Sequence, residues 1–302
     1  MRQIKVWFLV NLMTFENHTP KISVLTPIYN TKPQHLRECI DSILDQTLTD
    51  FEFIILNDSP DNLEIENIVK SYDDIRIKYY KNDSNIGISA SRNKLLELAR
   101  GEYVAVFDHD DVCLPNRLEN EASYLDKNAE VGVVGAFVQY FTEDAKDGTG
   151  HIVTCPSYDH EIRCVLTESC YLAHTSVMFR RSVLIENNIK YKAFFSPCED
   201  YQIFNELLDV TCFHVIQEVL VKYRMHNSRT SNLQEEKMRC TAEAVKLDIR
   251  NRYPAYRYAY LKNNPRTLFC CKLFGILPFF KFKRNWILLF GVIPLIKIQW
   301  KQ

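Results

Sequence analysis

The sequence VFDHDD at positions 106–111 ends an apolar run in three carboxylates and a histidine. Carboxylates this close repel one another, and each is stabilised by water or by a cation. In an extended chain Asp108 and Asp110 point to the same side of the backbone, with His109 between them. Such a pair suits a hard divalent ion, which takes oxygen ligands and shares them with the phosphates of a substrate. The same triplet also fits a solvated acidic turn, and its place directly after YVAVF favours a site. Two more apolar runs close in polar clusters, at 26–30 and 57–59. Another acid pair, Glu199 and Asp200, opens an amphipathic segment with Tyr201, Phe204, Leu207 and Leu208 on one face. There the acids are equally suited to a helix's first turn.

The elements that must position these groups alternate in type. KISVLTPIYN reads as a strand running into a Pro-broken loop. In PQHLRECIDSILDQ, Leu36, Ile40, Ile43 and Leu44 fall at helical spacing, and Pro33 suits the first turn. FEFIILND is near-continuously apolar, as a strand covered on both faces must be. A polar helix near 62–72, a strand IRIKYY, a helix ISASRNKLLELA and a strand EYVAVF follow. Strands and helices in this order predict βαβ units and an α/β fold with a mainly parallel sheet. Ligands bind such sheets at the carboxyl ends of the strands. The clusters at 26–30, 57–59 and 108–111 all fall on that rim. The second half is less regular. It offers a strand VGVVGAFVQYF, a strand turning into a short helix in HTSVMFRRSVLIENN, a loop entering a helix in PCEDYQIFNELLD, and a strand run before the polar loop MHNSRTS.

With 302 residues, 46% of them hydrophobic and 25% charged, the chain has the makeup of a soluble globular protein holding one large domain with an appendage, or two modest ones. The net charge of −1 hides an asymmetry. Eleven of the 37 Lys and Arg lie beyond Asp248, where there is no Asp or Glu, so residues 1–248 hold 26 basic and 38 acidic side chains, a net −12. The body is acidic, and the tail is basic and rich in Tyr and Trp. Within the tail LFGILPFFKFK (273–283) recurs as LFGVIPLIKIQ (289–299). Its longest apolar run, 286–296, falls short of the roughly 20 residues a spanning helix needs and is interrupted by Pro294. Basic, aromatic and briefly apolar, residues 249–302 suit an anionic membrane surface, with packing on the body as the alternative. The body's charge argues against nucleic acid as a partner. The ten cysteines show no C-x-x-C spacing and read as reduced thiols of a cytosolic protein. VWFLVNLM at the start is too short to span a bilayer and reads as an extension over 1–20.

No Gly-x-Gly-x-x-Gly follows the first strand, and no P-loop, His-Glu-x-x-His or Gly-x-Ser-x-Gly occurs. The ordered set VLTPIYN, ILNDSP, SNIGISASRNK, GEYVAVFDHDD, HTSVMFRRS, CEDYQIF and YRMHNSRTS resembles the inverting family 2 glycosyltransferases, which have the GT-A fold. The likeness covers 21–231 and is greatest to bacterial enzymes that build lipopolysaccharide or capsule glycans. It implies a catalytic domain over 21–235, with a helical and basic amphipathic region over 236–302. It implies transfer of a hexose or N-acetylhexosamine from a UDP-sugar to a glycan or lipid-linked acceptor, dependent on Mn²⁺ or Mg²⁺. The setting implied is cytoplasmic, peripheral on the inner membrane.

Residue by residue, the resemblance implies that Thr26, Pro27, Tyr29 and Asn30 hold the nucleotide, with the Tyr29 ring against uracil. Asp58 would accept the uracil imide hydrogen; an Asx-turn before Pro60 is the plainer reading. Asn85, Gly87 and Arg92 would lie beside the donor, Arg92 facing the diphosphate. Asp108 and His109 would touch ribose or donor sugar, and Asp110 would ligate the metal with His226 as a second ligand. Asp200 would be the general base, helped by Glu199. His174 would line the acceptor side or sit in the core, and Arg224 would pair with a phosphate or support its loop. Residues 141–171 match no family motif, so the acceptor is unreadable. Two other classes compete. A non-catalytic nucleotide-sugar or glycan-binding module would have no need of Asp200, and a nucleotidyltransferase would show a basic Gly-rich loop where TPIYNTKP stands.

Overall fold

The computed structural model describes residues 18–143, 150–226 and 234–264, together with the backbone of three short strands within 280–297. In the first half β1 (Ile22–Ile28), α1 (Pro33–Leu44), β2 (Phe51–Asn57), α2 (Leu63–Lys70), β3 (Ile77–Lys81), α3 (Ile88–Leu98) and β4 (Tyr103–Val106) alternate as the sequence predicts. β1 pairs in parallel with β2 and β4, and β2 with β3. Every residue of β1 and of β2 is buried, because helices cover both faces of the sheet, which is why these strands read as unbroken apolar runs.

The second half holds β5 (Val112–Cys113), α4 (Arg117–Lys127), β6 (Val131–Phe141), β7 (Ile152–Val153), α5 (Asp159–Leu166), β8 (Met178–Arg180), α6 (Arg181–Glu186), α7 (Glu199–Leu207), β9 (Cys212–Arg224), α8 (Glu235–Arg252) and α9 (Pro254–Asn263). The sheet order is β3-β2-β1-β4-β8-β6-β9-β5, with β7 on β6. The pairings run β1, β2, β3, β4, β6 and β9 one way and β5, β7 and β8 the other, a mostly parallel sheet. The short β8 is wedged antiparallel between β4 and β6. The 3₁₀ turn His174–Ser176 before it therefore lands beside the end of β4, and the Asp108 N–H donates to Thr175 Oγ1 (3.2 Å).

Alternate side chains of the strands feed two cores. One joins Leu25, Ile54, Val104 and Val106 to α3, α5, α7 and α8. The other joins Ile22, Val24, Phe53 and Ala105 to α1, α2 and α4. α8, beyond the expected catalytic boundary at 235, contributes Val245 and Ile249 to the first core. Three strands in the tail, Phe280–Lys283, Trp286–Leu289 and Ile293–Lys297, form a separate antiparallel sheet, the outer two coming from the two copies of the repeat. Residues 1–17 and 227–233 lie outside the described residues, as does most of the repeat. Among the described residues no helix is long and apolar enough to cross a membrane.

Candidate active site

The three polar strand ends do share one rim. Beyond β1, Tyr29 is half exposed at 52%. Asn30 turns the chain in the left-handed region (φ 44°), a conformation asparagine tolerates, and its N–H donates to Ser59 Oγ (3.2 Å). Thr26 and Pro27 lie beneath them, buried. The Thr26 hydroxyl donates to the Phe107 carbonyl (2.9 Å), tying β1 to the root of the acidic loop. After β2, Asp58 is buried and organises the loop before α3. Its Oδ1 accepts from Asn82 Nδ2 (2.8 Å) and the Ile86 N–H (2.9 Å), and its Oδ2 from the Gly87 N–H (2.9 Å). Gly87 takes a φ of 83° at this turn, a value that costs glycine nothing. Asn85 is exposed on the same loop.

After β4 the acidic loop separates its carboxylates by partner. Asp108 Oδ1 accepts from Arg92 Nη2 (2.9 Å). Asp110 Oδ2 meets His226 Nε2 (2.7 Å), so the first residues of the polar loop after β9 close over the acids. Burial opposes ionisation of Asp110, but His109 and His226 outweigh it and hold its carboxyl down at about 2. Asp111 is fully buried, and Oδ1 accepts the Arg224 N–H (2.8 Å). Burial, then the charges of Asp110 and Asp108, push its carboxyl well up. Among the described residues no three His, Cys, Asp or Glu side chains are grouped to hold a metal by themselves. The Asp110–His226 pair is a donor set that fits a cation whose other ligands come from substrate phosphates and water.

At the start of α7, Glu199 is buried and Asp200 partly exposed. Glu199 Oε1 accepts from Arg92 Nη1 (2.7 Å). One buried guanidinium therefore links Asp108 on the acidic loop to Glu199 beside Asp200. Burial opposes the charge on Arg92, yet Asp108 and Glu199 raise its affinity for its proton above the ordinary value. Asp200 Oδ1 accepts the Tyr201 N–H (2.7 Å). Burial, then the neighbouring Glu199 charge, push the Asp200 carboxyl up to about 6.

Arg92, expected to face the diphosphate, bridges these two carboxylates, and its guanidinium lies 5.6 Å from the centre of the Tyr191 ring. His174 is 6% exposed and pairs through Nε2 with the Tyr191 hydroxyl (2.8 Å); burial holds its basicity well down. Glu38, which pairs with Arg224, and Asp111, Thr175 and Tyr191 are members of this network that sequence reasoning gave no role. Only Asp111 carried a signal, its place in the acidic cluster.

A mostly parallel, helix-flanked sheet with acids along its carboxyl rim gives this chain the GT-A fold. The structure overlays on S. aureus TarS 1-349 in complex with UDP-GlcNAc with a TM-score of 0.59 at 19% identity, over 82% of this chain and 75% of that one. It overlays on a mannosyltransferase of Pyrobaculum calidifontis in complex with GDP-Man and Mn²⁺ with a TM-score of 0.58 at 15% identity, over 81% and 70%. In sequence, residues 23–187 match the family described as Glycosyl transferase family 2. The chain is 34% identical over 218 residues to an uncharacterized glycosyltransferase of Methanocaldococcus jannaschii, covering 71% of this chain and 74% of that protein. It is 29% identical over 165 residues to the amylovoran biosynthesis glycosyltransferase of Erwinia amylovora, covering 54% and 61%. The chain belongs to glycosyltransferase family 2.

Proposed function

We propose that the protein transfers a hexose or N-acetylhexosamine from a UDP-sugar to a hydroxyl of a glycan or lipid-linked acceptor, with inversion, in the synthesis of a surface polysaccharide. The observation that carries this reading is the Arg92 bridge, which joins the acidic loop at Asp108 to Glu199 (2.9 and 2.7 Å) and so sets the donor rim against Asp200. The UDP-GlcNAc bound by TarS 1-349 and the amylovoran role of the Erwinia relative support the donor and the setting.

In this reading Tyr29 stacks on the uracil at the rim shaped by Thr26, Pro27 and Asn30. Asp58 Oδ1 already accepts two N–H groups and Oδ2 one, so Oδ2 keeps a lone pair for the uracil imide. Asn85 and Gly87 border the nucleotide, while Asp108 and His109 face ribose and donor sugar. Asp110 and His226 would hold Mn²⁺ or Mg²⁺. When bound, such an ion offsets the charge gathering on the departing diphosphate. Asp200, with its carboxyl raised to about 6, accepts the acceptor hydroxyl's proton as that oxygen attacks the anomeric carbon opposite the diphosphate. Glu199 and Arg92 hold Asp200 in place, and His174 supports them through Tyr191. A panel of nucleotide sugars assayed for Mn²⁺-stimulated hydrolysis tests the assignment. UDP-sugars should respond and Asp110→Ala should not; equal stimulation of that variant would refute it.

The catalytic unit proposed is 21–235, with 236–302 as the attachment region. Here Arg250 pairs with Glu168, and Arg252 with Asp209 and Asp248. Arg257 Nε lies 3.8 Å from Glu168. These cations are neutralised on the body, which shifts the proposed contact with anionic lipid to 265–302. Deleting 265–302 should release the protein from the membrane fraction, and unchanged fractionation would sink this part of the proposal.

A further inference from the structure

We propose that Arg224 is a positioning residue that sets the spacing between Asp110 and His226, and thereby the affinity for the divalent cation. The inference rests on the metal reading above. Arg224 ends β9 and is 1% exposed. Its backbone N–H donates to Asp111 Oδ1 (2.8 Å), its Nε donates to the Asp110 carbonyl (2.7 Å), and its Nη2 pairs with Glu38 on α1. The guanidinium lies over the Phe141 ring, 4.5 Å from its centroid. One residue therefore grips the peptide that carries the first ligand, while its main chain leads two positions on to the second. The residue between is fixed as well, because the Met225 N–H donates to the Phe141 carbonyl (2.8 Å). On the other side the His35 ring, whose Nε2 pairs with Glu143 Oε1 (2.8 Å), lies 5.7 Å from the His226 ring.

The choice of atoms is informative. A guanidinium this close to an acidic site would ordinarily pair with the carboxylate and compete with a cation for it. Arg224 spends Nε on the Asp110 carbonyl and reaches elsewhere for its counter-charge, at Glu38, which leaves the Asp110 carboxylate to His226 and the ion. The geometry needs two donors fixed in one plane, which arginine supplies and lysine does not. Groups that orient metal ligands in this indirect way usually change metal affinity by about 10- to 100-fold when altered.

The test is direct Mn²⁺ binding, followed by the electron paramagnetic resonance signal of free Mn²⁺ in the presence of UDP, with UDP binding in EDTA measured in parallel. Arg224→Lys should weaken Mn²⁺ binding about 10-fold or more and leave metal-free UDP binding unchanged. Glu38→Gln, on a residue whose side chain is 30% exposed, should fold normally and weaken Mn²⁺ binding several-fold less, which keeps the idea testable if the lysine variant is unstable. Wild-type Mn²⁺ affinity in either folded variant, or an equal loss of metal-free UDP binding, would overturn the inference. Asp110→Ala separates the two layers of argument. If it too keeps Mn²⁺, the metal reading fails; if it loses Mn²⁺ while the other variants do not, only the role of Arg224 fails.

Discussion

Two acids in this site, Asp110 and Asp200, are held in opposite states by surroundings only one bridge apart. Both are largely withdrawn from water, which alone would raise both. At Asp110 the histidines on either side reverse that effect and bring the carboxyl down to about 2. At Asp200 the charge with the largest effect is Glu199, of the same sign, so burial and repulsion add and the carboxyl rises to about 6. The lesson is one of division of labour. A group that stays charged at any working pH suits a cation, and a group whose proton affinity lies near neutrality suits proton transfer.

The strongest way to break this comparison is Asp200→Asn. The amide keeps an oxygen for the Tyr201 N–H, so the turn survives while the base is lost. Sugar transfer should fall by about 10²–10⁴, with the affinity for UDP and Mn²⁺ unchanged in a calorimetric titration. Asp110→Asn should do the reverse and lose the joint binding of metal and UDP. Comparable loss of nucleotide affinity in both variants would show that the two acids do not divide the work.

The same Asp200→Asn variant sharpens the comparison through stability. The carboxyl's folded value, about 6, lies above the ordinary 3.8, so the folded state binds the proton more tightly than the unfolded chain. Below about pH 4 both forms are protonated and the side chain costs the fold nothing; as pH rises through 6 the buried carboxylate becomes a penalty. Asparagine never ionises. The variant should therefore be more stable than the wild type at pH 8, by on the order of 2 kcal/mol, with the difference vanishing near pH 4. Urea melts at the two pH values check it, and a wild-type advantage at pH 8 would place Asp200 in a stabilising role instead.

What was legible in the sequence tracks how local each signal is. β1, β2 and β4 read clearly because each is an apolar run closed by polar residues, and the polar rim follows from their parallel pairing, while the GT-A fold came from the resemblance of the ordered motifs. α4 was also legible in principle, since Leu118, Ala122 and Leu125 fall at helical spacing and are all buried. The bridge made by Arg92 was not. Arg92 stood out in the sequence only as a neighbour of the donor; its partners lie 107 and 16 positions away, and no periodicity announces a buried charge paired so far along the chain. The pairing of Arg224, singled out in the sequence only as a phosphate partner or loop support, with Glu38, 186 positions away, is harder still, because Glu38 alone is an ordinary polar residue on an amphipathic helix. The described part of the stretch 141–171, which matched no motif, holds the two-residue β7 and the helix α5, elements too short or too dependent on distant partners to declare themselves.

The smallest effect expected is also the most specific to the bridge. Glu199 raises Asp200 by repulsion while neutralising Arg92, which by itself lowers Asp200. Glu199→Gln removes the repulsion and leaves the Arg92 charge less balanced, and both changes act in one direction. The glutamine oxygen can still accept from Arg92 Nη1, so the strut between α3 and α7 is kept. A base must be unprotonated to work, so the wild-type rate should fall about tenfold per pH unit below pH 6. In the variant that acidic limb should move to lower pH. A limb that stays in place while the maximal rate drops would mean that Glu199 acts on the acceptor rather than on the proton affinity of Asp200, and a limb that moves upward would contradict the electrostatic account of both acids.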